Sequence, residues 1–159
     1  AVRQMLAKRP GVAARLLLEI TESAAIDDLA LADRHLVALR GEGCRICLDD
    51  FGAGAASLAY LQQLTLDIVK IDGRYIRELQ HGGRESAFIR HLVHMCSELG
   101  VKTIAEMVEN TQAEEAVRRA GVDFAQGWLY GAPSDQPEFK APGAAKPAAR
   151  RLGAVDSWG

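Results

Sequence analysis

Five short apolar runs, at residues 16–21, 45–50, 68–72, 101–106 and 124–128, recur along the chain with helix-like segments between them, and this alternation limits the fold most. Each run is the length of a strand, and β-branched residues contribute to the first four. Residues 27–40 place Leu29, Leu36 and Leu39 on one helical face, and residues 85–99 place Phe88, Leu92, Met95, Cys96 and Leu99 on another. Thr111 stands three residues before Glu114 as a capping box, and Gly41, Gly100 and Gly121 stand where helices should stop. The order reads β-α-β-α-β-α-β-α-β. Such alternation demands parallel strands with right-handed crossovers, in an open doubly wound sheet or in part of a (β/α)8 barrel.

The polar residues choose between these two. Glu19 and Glu22 flank the end of the first run, Asp49 and Asp50 end the second, Lys70 and Asp72 the third, Glu106 and Glu109 the fourth, and Gln126 lies within the fifth. In a barrel of parallel strands all C-terminal ends open on one rim, so these residues meet there. Carboxylates brought together repel and raise one another's pKa unless a cation neutralises them. Oxygen ligands with no His or Cys among them favour magnesium or manganese over zinc. Two such ions can clamp the attacking and leaving oxygens of a phosphodiester.

Most single acids are helix caps or surface ion pairs, and Asp27, Asp28, Glu42, Glu98 and Glu114 are read that way. Adjacent Asp49 and Asp50 at the end of an apolar strand are harder to explain so, as is Lys70 among aliphatics, because buried charge needs a partner. The run from Gly52 to Ser57 nearly matches a dinucleotide-binding glycine fingerprint, but its third position is Ser57 and two aspartates precede it. A loop beside a metal site accounts for the same residues.

Half-apolar, quarter-charged composition in 159 residues indicates one soluble globular unit. A net charge of −2 provides no basic surface for long nucleic acid, and no apolar run reaches the length of a membrane span. With only three cysteines and no signal-peptide pattern, the cytoplasm is the expected compartment. Cys44 and Cys47 lie in an extended run where residues three apart face opposite sides, so buried packing is expected rather than zinc binding. The four histidines are expected on solvated helix faces. Residues 134–159, rich in Ala, Pro and Gly, are expected to be a disordered tail beyond a domain spanning 1–133.

Five segments resemble, in order, the signatures of the EAL family of cyclic di-GMP phosphodiesterases: Leu18 to Ser23, Asp49 to Gly54, Val69 to Asp72, Ala105 to Glu109, and Gln126-Gly127. The resemblance implies a TIM-like (β/α)8 barrel, here in part, with about five parallel strands alternating with helices. It implies that Glu19, Asp49, Asp50 and Glu106 bind two magnesium or manganese ions, with Asp49 bridging. Lys70 would touch the attacking water or the phosphate, Asp72 would assist substrate binding, and Gln126 would hold the water network, while Asp50 and Glu106 would also serve catalysis. Glu22 would brace the loop at residues 51–54, which in this family couples metal binding to dimerisation, and Glu109 would support the site from behind.

Where the family carries Glu-Ala-Leu on an early strand and an asparagine on the next, both metal ligands, this chain has no counterpart. It also has Met107 where a glycine is usual. A full barrel takes about 250 residues, so the chain is expected to be the C-terminal part of the domain and inactive alone. The expected activity of the parent is hydrolysis of cyclic di-GMP to the linear dinucleotide in bacterial signalling, with a homodimer and an upstream sensory or cyclase domain compatible with it. The alternative is a catalytically silent cyclic di-GMP receptor.

Overall fold

The computed structural model describes residues 2–7, 11–21, 26, 28–52, 57–80 and 83–135. Its strands are β1 (Leu17–Thr21), β2 (Arg45–Phe51), β3 (Ile68–Ile71), β4 (Lys102–Ala105) and β5 (Phe124–Ala125). Its helices are α1 (Val2–Ala7), α2 (Leu29–Gly41), α3 (Ser57–Gln63), α4 (Gly73–Leu79), α5 (Arg84–Glu98) and α6 (Thr111–Arg119). All four strand pairings are parallel, in the order β1-β2-β3-β4-β5. A doubly wound sheet reverses its strand order at a switch point. No reversal occurs here, so the sheet is of the barrel type, with β1 and β5 at its edges.

Alternation along each strand divides the sheet into two faces. Ile46, Leu48, Val69, Ile71 and Ala105 turn toward the helices and join Leu36, Ile76, Ile89, Leu92, Val93, Cys96, Ala116 and Val117 in the main core. Their neighbours Cys47, Asp49 and Lys70 turn the other way, to what is the interior of a barrel. That interior face is only partly covered: the Glu19 side chain is 45% exposed and Phe124 55%. Among the described residues no helix is long and apolar enough to cross a membrane.

Several expectations need correction. The fifth strand ends at Ala125 rather than residue 128, because Trp128–Tyr130 forms a 3-10 turn. Pairing nevertheless continues past the strand, with Gln126 N donating to Ala105 O and Val108 N to Gln126 O. Two helices, not one, separate β3 and β4. In α5 the buried face runs through Ile89, Leu92, Val93 and Cys96, while Phe88 and Leu99 are exposed. Phe88 is drawn aside to Tyr75, ring centroids 5.9 Å apart. The cap of α6 is Asn110, which accepts from Ala113 N at 2.8 Å, one residue before the expected Thr111. Gly100 and Gly121 follow their helices with positive φ, but after α2 that role falls to Gly43. The tail from residue 136, with the whole question of its disorder, lies outside the described residues.

Aspartates also latch the N-terminal ends of the strands. Asp67, just before β3, accepts from Ile46 N at 2.8 Å and holds the Arg40 guanidinium at 2.7 Å. Asp123, just before β5, accepts from Lys102 Nζ at 2.7 Å, Thr103 N at 2.9 Å and Thr103 Oγ1 at 3.0 Å. The same device therefore ties β2 to β3 and β4 to β5. Partial burial alone would raise the Asp123 pKa, but the hydrogen bonds from Lys102 and Thr103 outweigh it and hold the carboxyl below its usual range.

A depressed folded pKa contributes stability that is complete above the unfolded value, about 4, and is lost as pH falls through the folded one. Asp123→Asn should lower the unfolding free energy at neutral pH by about 1–3 kcal/mol, the cost of leaving such donors poorly paired. Its urea midpoint should also fall less steeply than that of the unmodified chain below pH 4. Identical pH profiles for the two would rule out this latch.

Candidate metal centre at the C-terminal rim

Consecutive residues of a regular strand face opposite sides of the sheet, so Asp49 and Asp50 should diverge. They do not, because β2 is irregular there: its register against β3 shifts between Leu48 and Phe51, and Asp50 adopts φ 55°. The bulge re-aims the second carboxylate. As a result Asp49, Asp50 and Glu106 each offer a carboxylate oxygen, all within 4.8 Å of one another.

Lys70 comes up from β3 into the middle of this group and is 7% exposed. Its Nζ lies 2.7 Å from Asp49 Oδ1, 2.8 Å from Glu106 Oε1 and 3.7 Å from Glu19 Oε1. Burial by itself would lower the lysine pKa, yet the contacts with Asp49 and Glu106 outweigh it and hold the ammonium charged more firmly than usual. Three carboxylates still face one ammonium, and Asp50 lies close to two of them. Asp49 Oδ1 is buried, and the Lys70 ammonium meets it as an ion pair. A buried carboxylate oxygen inside an excess of negative charge fits a hard divalent cation.

Cys47 lies on the same face two residues before Asp49. Burial first, and the Glu19 carboxylate next, push its thiol up to about 12, and its sulfur is not in the group of ligand atoms that lie within 4.8 Å of one another. The donor set is therefore oxygen, as for magnesium or manganese rather than for zinc. The i, i+2 spacing from Asp49 was the available signal for its position beside the cluster. Cys44, Cys47 and Cys96 are all buried and free.

The structure thus brings Glu19, Asp49, Asp50, Lys70 and Glu106 together. Asp72 does something else: its carboxylate caps α4, accepting from Arg74 N at 2.7 Å and Arg74 Nε at 3.1 Å. Those bonds overcome partial burial and hold its pKa below the usual value. Gln126 is held beside Glu106 through its backbone pairing to Ala105 and Val108, with its side chain exposed. Glu109 is exposed beyond β4 and is not in the three-carboxylate group. Glu22 lies outside the described residues, as do residues 53–56 of the loop it was expected to brace and Asp27. The remaining acids assigned to surface roles fill them, with Asp28 capping α2 and Glu42, Glu98 and Glu114 paired to Arg3, His94 and Arg118.

The sequence model of the EAL domain matches residues 1–133. The chain belongs to the EAL domain family. It is 38% identical over 132 residues to cyclic di-GMP phosphodiesterase PdeF of Escherichia coli, covering 83% of this chain and 18% of that protein. Among solved structures, an EAL domain protein from Listeria monocytogenes superposes with a TM-score of 0.77 at 34% identity, covering 83% of this chain and 52% of the other. A manganese and cyclic di-GMP complex of Klebsiella pneumoniae BlrP1 superposes at 0.71 with 29% identity, covering 80% and 33%. This EAL chain therefore spans about half of the Listeria structure and less than a fifth of PdeF.

Replacing Lys70 with methionine keeps the side chain's length but leaves the carboxylates facing one another. Lys70→Met should lose about 3–5 kcal/mol of stability, the range for removing one partner of a buried ion pair. Manganese should then raise the melting temperature of the variant more than that of the unmodified chain. Equal manganese-induced shifts would show that Lys70 and the cation do not answer the same charge.

Proposed function

We propose that the EAL domain to which this chain contributes hydrolyses one phosphodiester linkage of cyclic di-GMP, giving the linear dinucleotide. The observation that carries this reading is the convergence of Asp49, Asp50 and Glu106 within 4.8 Å, with Lys70 between Asp49 and Glu106. The name of PdeF and the ligands of the BlrP1 complex support the same substrate and a divalent metal.

In this reading Glu19, Asp49, Asp50 and Glu106 would hold the two magnesium or manganese ions. When bound, such ions supply Lewis acidity and a water of lowered pKa. Lys70, kept protonated by its neighbours, presents positive charge to the phosphate or to the attacking water. Gln126, held at the rim beside Glu106, orders the water network. Asp72 acts on substrate only through the placement of α4, which it caps. Glu22 braces the loop after β2, and Glu109 supports the rim from outside. We further read the parent as a cytoplasmic homodimer with a sensory or cyclase partner domain, on the strength of the family resemblance and the three free thiols.

A silent receptor is the second reading, favoured by Met107, which directly follows Glu106 at the rim where the family usually carries glycine. For the 159-residue chain alone, both readings expect little or no hydrolysis. The complete domain separates them. With magnesium it should cleave cyclic di-GMP, and Asp49→Asn or Glu106→Gln should each reduce turnover to background in a linear-product assay. Undiminished turnover in either variant removes the assigned roles, and binding without cleavage by the complete unmodified domain establishes the receptor.

A further inference from the structure

Two residues other than glycine have positive φ among the described residues, Asp50 at 55° and Met107 at 54°. Neither is placed at random. Asp50 belongs to the carboxylate cluster, and Met107 directly follows Glu106, the cluster's third member. Left-handed backbone is unfavourable for such residues and persists only where surrounding structure imposes it. Aspartate tolerates it better than methionine does. Something must hold both turns.

The first turn of α4 touches both. Tyr75 lies against Gly52, so closely that a Cβ added at Gly52 would overlap the tyrosine ring, and its hydroxyl donates to Gly52 O at 3.2 Å. Gly73 lies against Met107, where an added Cβ would come within 2.5 Å of both the methionine Cβ and Sδ. The ring of Tyr75 is itself steadied by Phe88 of α5. Asp72 caps this same turn and follows Lys70 by two residues, so α4 is also tied to the strand that delivers the ammonium.

The geometry points to α4's first turn as a clamp, with Tyr75 and Gly73 as positioning residues that separately set the Asp49-Asp50 turn and the Glu106 turn. Tyr75 acts through the Gly52 carbonyl, two residues beyond Asp50. Gly73 acts by leaving room for Met107, the residue that replaces the family's usual glycine. The clamp concerns the fit of carboxylates to a cation, and to that extent rests on the metal reading above.

The two halves make distinguishable predictions. In the 159-residue chain, Tyr75→Phe removes only the hydroxyl and should shift the 13C carboxyl resonance of Asp50 while leaving that of Glu106 in place. Gly73→Ala should shift Glu106 instead, and the double variant Gly73→Ala/Met107→Gly should return it to its original position. Titrated with manganese alone, Tyr75→Phe should bind about fivefold more weakly, the loss of one hydrogen bond's worth of order. Gly73→Ala should bind about tenfold more weakly or worse, and the double variant should recover. If Tyr75→Phe, which retains the ring packing, leaves Asp50 unmoved, or if the double variant fails to restore Glu106, the clamp is wrong. If the resonances move as described but the unmodified chain binds no manganese, the clamp stands and the carboxylates of this chain do not suffice for a cation without the rest of the domain.

Discussion

The ammonium of Lys70 among the carboxylates of Glu19, Asp49 and Glu106 is the interaction on which the interior of this sheet depends. Three strands deliver those acids to one small volume, where they would repel in a partly dehydrated setting. A lysine on the strand between β2 and β4 lies nearest to both flanking acids, and β3 occupies that place in the strand order. One ammonium against three carboxylates leaves an excess of negative charge that a further cation would offset. A stable apolar interior would have had no use for any of these groups, which is why their concentration is a statement about chemistry.

Acids at the two ends of the sheet behave differently. At the N-terminal ends Asp67 and Asp123 are saturated by backbone amides, a guanidinium, an ammonium and a hydroxyl, and they bind neighbouring strands together. At the C-terminal ends Asp49 meets the Lys70 ammonium and two neighbouring carboxylates instead. The kind of partner, rather than residue type, separates the aspartates that latch strands from those proposed to bind metal. The same distinction moves Asp72 to the structural side, since its oxygens serve the amide and guanidinium of Arg74.

Among the described residues other than glycine, left-handed backbone occurs only at and beside the carboxylate cluster. The left-handed Asp50 exists because a regular strand would send its carboxylate to the helix side, and the left-handed Met107 leads the chain away from Glu106 toward the backbone of Gln126. Each unfavourable turn is held by packing against α4, a helix of two turns whose first residues are a glycine and, two later, a tyrosine.

Much of the fold was legible because it rests on local periodicity: β-branched runs alternate with helical stripes, and five runs ended by polar residues announce a shared rim. The cluster of Glu19, Asp49, Lys70 and Glu106 followed from the same reasoning, since each lies near a strand's C-terminal end. Tertiary contacts decided the rest. Which face of α5 is buried, that Asn110 rather than Thr111 caps α6, and that Asp72 turns to its own helix all depend on competing partners that spacing does not reveal. Above all, alternation alone sends Asp49 and Asp50 to opposite sides. Only the bulge in β2, held by neighbours distant in the chain, brings both carboxylates to one place, because backbone strain is sustained there by packing that the local sequence does not contain.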